Sequence, residues 1–304
     1  FTAYETSALL YRFLQTSFSP TMADASHWII LPDGPLYELP FETLLTNSNE
    51  RRFLLQDKII SYHYSFTLLL NRPHKQDTAS FYTAAPFTET GAKLQEKQFA
   101  ALLFSKEEIR LLKGIKAEHS HATRNHFLQQ AFSSSVIHLA THAVAGDEEK
   151  ASNNSFVQFY HTAGEPPDSS RLYLHELYSL RFQKKPLVIL SACETAIGKQ
   201  SESEGLLSLA RGFMYAGSSG IVSSLWKADD RITAYLMQRL HGYLEKKLSP
   251  ELALQKAKND LLNDHTIDVR YKSPAYWGQF IYIGAIKEPE ESKRNNLLLI
   301  SCVT

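Results

Sequence analysis

The chain has 304 residues, of which 43% are hydrophobic and 21% are charged, a composition typical of a soluble globular protein. Thirty-two Lys and Arg residues balance thirty-two Asp and Glu residues, so no general positive field favours nucleic acid as a partner. The two cysteines, Cys193 and Cys302, are too few for a disulfide framework or a cysteine-rich zinc site and suit a reducing compartment. We therefore expect a cytoplasmic location.

Residues 1–78 are predicted to form an N-terminal subdomain made of a helix and a β-hairpin. The helix is predicted over residues 4–14, and strands are predicted over residues 28–31 and 59–64. A polar stretch precedes the next apolar strand at residues 81–85, so we place a domain boundary near residue 78.

Residues 79–288 are predicted to form one larger domain in which strands and helices alternate. Continuous apolar runs at residues 136–140, 186–190 and 220–222 are typical of parallel strands that are covered on both faces. Ser105 and Glu108 match a capping box at the start of a helix that precedes these runs. The alternation predicts an α/β fold, with a mainly parallel sheet flanked by helices on both faces.

Residues 289–304 are predicted to form a mobile tail. Two basic residues precede the apolar run at residues 297–300, which leaves a membrane tether open, although no window has the roughly 18 apolar residues that a membrane helix needs. The chain begins at Phe1 and has no signal-peptide pattern. We therefore expect it to be a piece of a longer polypeptide whose upstream region is missing.

Two reactive side chains follow neighbouring apolar runs, His142 after the first and Cys193 after the second, 51 positions apart. In an open α/β sheet the ligand crevice lies beyond the carboxyl ends of the strands, so these two side chains are candidates for one catalytic site. A thiolate attacks carbonyl carbon, and a nearby imidazole donates a proton to the leaving amine. Backbone N–H groups of Ala143 and Cys193 are candidates to hold the oxyanion, and the spacing is caspase-like.

Other chemistries fit these residues less well. His138 lies inside an apolar run, which predicts a core histidine. Leu139 stands where a helical metalloprotease motif requires Glu, so we expect no metal. We expect no other cofactor either. Cys302 lies in the predicted tail and is interpreted as incidental.

Several short motifs recur in a fixed order between about residues 4 and 285. They are ILPDG at 30–34, LPFE at 39–42, HLATH at 138–142, LSACET at 190–195, ARGF at 210–213, SLW at 224–226 and YWGQFIYIG at 276–284. This series resembles the CHAT domains, which are caspase-like cysteine peptidases related to separase and commonly joined to tetratricopeptide repeats in bacteria. One departure is Ala143, because many caspase-like peptidases have Gly after the catalytic His.

The resemblance implies a cysteine endopeptidase with Cys193 and His142 as its catalytic dyad. It implies cleavage of a protein partner at few sites, in a regulated bacterial signalling or defence response. We expect the activity to be controlled by an upstream repeat region or by a regulatory partner, both missing from this chain. The alternative is a catalytically silent scaffold that keeps the fold and binds protein partners.

The segment from Trp226 to Asp230 resembles a separase segment in which an acidic residue after a Trp receives an arginine. Asp230 is the best match for that acidic residue and Asp229 the second choice, which implies cleavage after Arg or Lys. The alternative is that one of the two carboxylates caps the helix that follows. If Asp230 does not set the Arg preference, the pocket is expected elsewhere, at residues 147–149 just beyond His142.

Overall fold

The computed structural model describes residues 3–16, 24–47, 51–65, 80–88, 99–110, 112–144, 155–191, 193–194, 202–227, 229–284 and 297–301, of which residues 3–4, 193–194, 202–206 and 297–301 are described by their backbone. The strands in these ranges are β1 (His27–Leu31), β2 (Leu45–Asn47), β3 (Arg52–Phe53), β4 (Ile59–Tyr62), β5 (Phe81–Ala85), β6 (Gly114–Glu118), β7 (Val136–Leu139), β8 (His142–Val144), β9 (Phe156–Gln158), β10 (Arg171–Tyr173), β11 (Leu187–Leu190), β12 (Cys193–Glu194), β13 (Gly220–Ser224), β14 (Phe280–Gly284) and β15 (Leu297–Ser301). The helices are α1 (Ala3–Thr16), α2 (Ser105–Ile109), α3 (Arg124–Gln130), α4 (Leu174–Leu177), α5 (Glu202–Tyr215), α6 (Asp230–Glu245), α7 (Pro250–Asn263) and α8 (Pro274–Trp277).

A mainly parallel sheet of nine strands forms the centre of the fold, in the order β15-β1-β4-β14-β13-β11-β7-β5-β6. Strands β6, β5, β7, β11 and β13 are mutually parallel. Strands β14, β4, β1 and β15 form a second parallel block. The two blocks meet where β13 and β14 pair antiparallel, and the predicted α/β fold is confirmed.

Both faces of this sheet are covered by helices, as the continuous apolar runs predict. In β11, Val188 and Leu190 belong to one apolar core, and Leu187 and Ile189 belong to the other. Helices α3 and α5 contribute to the first core, whereas α2, α6 and α7 contribute to the second.

The N-terminal strands are part of the same sheet. Strands β1 and β4 pair in parallel, so the two strands predicted before residue 78 are not the arms of a hairpin. The antiparallel pair in this region is formed by β2 and β3 instead. The domain division at residues 78 and 288 stays a prediction.

The C-terminal strand β15 pairs with β1 at the edge of the large sheet. The expectation of a mobile tail therefore does not describe residues 297–301. In the part of the chain that the structure describes, no helix combines the length and the hydrophobicity that crossing a membrane requires.

The capping box predicted at Ser105 is wrong. Helix α2 begins at Ser105 itself, its N-cap is Phe104, and the Ser105 hydroxyl donates to the carbonyl oxygen of Leu102 at 2.7 Å. Glu108 is buried, and its carboxylate accepts a hydrogen bond from the Ser191 hydroxyl instead of bonding to the start of its own helix. The tertiary partners have overridden a local pattern that fits the helix terminus.

A buried ion pair joins the N-terminal region to helix α7. The Lys258 ammonium lies 2.7 Å from Oε1 of Glu42, and only 2% and 7% of the two side chains is exposed. The Tyr62 hydroxyl donates to the same carboxylate and accepts the backbone N–H of Phe41 at 2.7 Å. Burial lowers the pKa of Lys258, and the Glu42 carboxylate opposes that shift.

We expect Glu42→Ala to lower the free energy of unfolding by about 3–5 kcal/mol, because the Lys258 ammonium would stay buried without its carboxylate. The double variant Glu42→Gln with Lys258→Met should lose less, since it leaves no uncompensated charge. Urea unfolding of the two variants and the unmodified chain measures these losses. Equal losses in the two variants would show that packing, and not the charge, sets the cost.

Candidate active site

The backbone sets the two candidate catalytic residues side by side. Strands β8 and β12 pair in parallel, with Cys193 and His142 as Cα partners. They belong to a second sheet of four strands, in the order β10-β9-β8-β12. In the large sheet Leu139 pairs with Leu190, and these partners are likewise 51 positions apart. Two residues follow each large-sheet strand before the small sheet begins, so one register continues from the large sheet into the small one.

The ring of His142 is buried and held in one orientation. Its Nε2 lies 2.8 Å from the carbonyl oxygen of Ala100, and 1% of the residue is exposed. Because a carbonyl accepts, Nε2 carries the proton, and in the neutral ring Nδ1 is the nitrogen with the lone pair. The rings of Phe87 and Phe99 pack against the imidazole, with centroids 4.8 and 5.2 Å away.

Ala143 is fully buried and lies between two strands of the small sheet. Its Cα partners are Glu194 of β12 and Val157 of β9. The assignment of the Ala143 and Cys193 N–H groups to an oxyanion stays a prediction.

The three predicted pocket residues have separate roles in the fold. The indole N–H of Trp226 donates to the carbonyl oxygen of Ala275 at 3.0 Å. Asp229 is the N-cap of α6, and its carboxylate accepts the backbone N–H of Ile232 at 3.0 Å. The helix-cap interpretation therefore describes Asp229. The other proposed pocket, residues 147–149, lies outside the described residues.

Asp230 reaches across to the start of helix α2. Its Oδ2 accepts the backbone N–H of Phe104 at 2.9 Å. Burial raises the pKa of this carboxyl, and the Phe104 N–H opposes the shift. Residues 99–105, which we call the bridging segment, thus bond to Asp230 through Phe104 and to His142 through Ala100.

Four buried polar side chains lie near the carboxyl ends of β7 and β11. We call Glu108, His138, Ser191 and His241 the buried network. Nε2 of His138 lies 2.9 Å from the Ser191 hydroxyl and 3.2 Å from the Glu108 carboxylate. The Ser191 hydroxyl donates to that carboxylate at 2.7 Å. Nε2 of His241 lies 2.8 Å from Nδ1 of His138.

These contacts fix the proton positions. Since the Ser191 hydrogen is directed to Glu108, Nε2 of His138 must donate, and Nδ1 of His138 then accepts from Nε2 of His241. Burial lowers the pKa of His138 to about 3 and lowers the pKa of His241 well below its usual value. Burial also raises the pKa of Glu108, although its bond from Ser191 opposes that shift. Both histidines are therefore neutral.

Sequence reasoning identified His138 as a buried histidine but did not find its partners. One signal was available, because a histidine inside an apolar run requires hydrogen-bond partners once it is buried. The partners Glu108 and His241 lie on helices that are distant in sequence. The apolar run around His138 therefore does not identify them. Within the described ranges, no group of three or more His, Cys, Asp or Glu side chains is arranged to hold a metal ion.

Comparisons with known proteins identify a family and a fold. A family model described as "CHAT domain" matches residues 5–285. A search of curated proteins finds no match to this chain.

Several solved structures share the fold. The crystal structure of the Arg-specific cysteine proteinase gingipain R superposes with a TM-score of 0.54 at 11% identity, over 90% of this chain and 66% of that one. The complex of the Porphyromonas gingivalis RgpB pro- and mature domains gives 0.52 at 10% identity, over 90% and 67%. The Saccharomyces cerevisiae separase–securin complex gives 0.50 at 14% identity, over 85% of this chain but 15% of that chain. The fold is therefore caspase-like.

We expect the free energy of unfolding to fall on acidification, with His138 as one cause. Its pKa is about 3 in the folded chain, so below about pH 6.5 the unfolded chain binds the extra proton. Between about pH 6.5 and about pH 4.5 this lowers the free energy of unfolding by about 2 kcal/mol. The raised pKa of Glu108 acts in the opposite direction, and His241 acts in the same direction as His138.

Urea unfolding at several pH values checks this. The variant His138→Gln should lose less stability over the same pH interval, because the contribution of His138 is gone. An identical acid dependence in the variant and the unmodified chain would show that His138 is not a source of it.

Proposed function

This chain belongs to the CHAT domain family, and from that membership we propose that it is a cysteine endopeptidase. The observation that carries the proposal is the Cα pairing of Cys193 with His142 across β12 and β8. Register partners on neighbouring strands lie about 5 Å apart, so a thiol and an imidazole at these positions are within reach of one peptide bond.

The orientation of His142 supports a specific division of labour. With its Nε2 proton directed at the Ala100 carbonyl, Nδ1 takes the proton of the Cys193 thiol. The thiolate attacks the carbonyl carbon of the peptide bond, and the N–H groups of Ala143 and Cys193 stabilise the oxyanion. His142 then gives the proton to the leaving amine, which breaks the C–N bond and leaves an acyl-enzyme. Water, deprotonated by His142, hydrolyses that thioester.

The substrate we propose is a protein that is cleaved at few sites, in a regulated bacterial signalling or defence response in the cytoplasm. Control by an upstream repeat region or a protein partner belongs to the same proposal. The separase structure that shares this fold is a complex with securin, which supports regulation by a bound protein.

A basic residue before the cleaved bond is the specificity we propose, with Asp230 as its recognition group. One carboxylate oxygen of Asp230 accepts the Phe104 N–H. The carboxylate has further lone pairs that can accept hydrogen bonds from a guanidinium. Its link through the bridging segment to His142 supports a place beside the catalytic site. Leu103 and Phe104 on the same segment are exposed by 54% and 39%, so apolar surface adjoins the carboxylate.

Replacing Cys193 by Ala should abolish cleavage of peptides by the chain, because no nucleophile remains. His142→Asn should reduce turnover severely, because no group remains to move the proton. Peptide hydrolysis and thermal melting together separate lost chemistry from lost folding. Cys302→Ala is the matched control and should keep full activity. Activity that survives Cys193→Ala would contradict the assignment, and a well-folded unmodified chain that cleaves nothing would favour the silent scaffold.

Profiling with a peptide library tests the specificity, and Arg or Lys should precede the cut. In Asp230→Asn the preference for Arg should fall on the order of 10-fold to 100-fold, because a charged hydrogen-bond acceptor is lost. Asp229→Asn should retain the preference, since Asn also caps helices well. A preference for acidic or large apolar residues would defeat the basic pocket, and loss of the Arg preference in Asp229→Asn alone would assign the pocket to Asp229.

A further inference from the structure

Ser191 lies at the point where the chain leaves the large sheet for the small one. It follows the last residue of β11, Leu190, and precedes Cys193 by two positions. The residue is 2% exposed, and its hydroxyl both donates to Glu108 and accepts from His138. The position of this hydroxyl is therefore set by helix α2 on one side and by strand β7 on the other.

The hydrogen bond between His138 and Ser191 crosses between two strands at the place where their ladder changes sheets. The ladder of β7 with β11 ends at Leu139 and Leu190, and the ladder of β8 with β12 begins at His142 and Cys193. Two residues on each strand separate these ladders. A buried hydrogen bond at that gap restrains the offset between the strands, because a slip would leave buried polar groups without partners.

The two sides of the small-sheet junction are anchored by different groups. On the β8 side, the Thr141 hydroxyl donates to the carbonyl oxygen of Gln158, and the ring of His142 is held by Ala100. On the β12 side, the buried network holds Ser191, and His241 supports His138 from behind at 2.8 Å. The buried network thus ties the strand that leads to Cys193 to the strand that leads to His142, because His138 lies on β7.

We propose that Ser191 is a positioning residue, held by Glu108 and His138 so that Cys193 is placed correctly against His142. This rests on the proposed peptidase function. A misplacement of about 1 Å between reacting groups costs on the order of 100-fold in rate. We expect the loss to fall on the chemical step, because Ser191 is not part of the pocket proposed at Asp230.

The test compares two buried hydroxyls on the same pair of neighbouring strands. Ser191→Ala should lower kcat on the order of 10-fold to 100-fold and leave KM nearly unchanged. The rate at which iodoacetamide alkylates Cys193, followed by mass spectrometry, should change in the same variant. Ser135→Ala is the matched control, because Ser135 is also buried but lies just before β7, at the opposite end of the sheet. It should lower the melting temperature and leave kcat and alkylation unchanged.

Variants of Glu108 test the same contact from its other side. Glu108→Gln keeps an acceptor for the Ser191 hydroxyl and should restore most of kcat relative to Glu108→Leu, which removes the acceptor and should resemble Ser191→Ala. Combining Ser191→Ala with Glu108→Leu should cost little more than either change alone, because both changes break the hydrogen bond between Ser191 and Glu108. Glu108→Leu also serves as the test if Ser191→Ala does not fold.

Three results would overturn the proposal. These are an unchanged kcat in Ser191→Ala, an equal loss in Ser135→Ala, and fully additive losses in the double variant. An unmodified chain that cleaves no peptide would count against the proposed function alone. The alkylation rates of Cys193 in Ser191→Ala and Ser135→Ala would then still decide whether Ser191 positions the cysteine.

Discussion

The parallel pairing of β7 with β11 is the interaction on which the candidate site depends. Its register is continued by β8 and β12, so Cys193 meets His142 in the small sheet because Leu139 meets Leu190 in the large one. Both strands are buried on both faces, and a slip by one residue would turn their apolar side chains toward the wrong core. Burial of the core thereby fixes the register that sets Cys193 beside His142.

The same burial explains why the polar groups beneath the strand ends are connected to one another. A carboxyl, a hydroxyl and two imidazoles lie in a region without exposed surface, where each would be costly alone. Bonded in sequence from Glu108 to His241, they satisfy one another with both histidines neutral, except that Nδ1 of His241 has no hydrogen-bond partner among the described residues. Such an arrangement contributes little net stability compared with apolar packing, and its value lies in defining a single geometry.

The sequence predicts the parts of this fold that depend on long apolar runs. The central strands, the helices on both faces and the candidate pair Cys193 and His142 follow from strand-like runs and from the residues at their ends. Strands of two or three residues, such as β8, β9 and β12, have too little periodicity to be recognised. Glu108 was misread because Ser-x-x-Glu fits a capping box, whereas its real partners are 30 or more positions away. The parallel pairing of β1 with β4 was missed because non-local pairing leaves no local pattern.

The bridging segment links the proposed recognition residue Asp230 to the candidate catalytic residue His142 through two hydrogen bonds. The Phe104 N–H bonds to Asp230, and four residues earlier the Ala100 carbonyl bonds to His142. A guanidinium bound at the remaining lone pairs of Asp230, as proposed, would share the carboxylate that holds Phe104. Any shift of the segment would be transmitted to the imidazole over a short length of backbone. The ring of Phe87, which lies outside the segment, packs on that imidazole and resists such a shift, whereas Phe99 is part of the segment itself. The contact with Phe87 therefore helps to hold the orientation of the candidate imidazole when the bridging segment shifts.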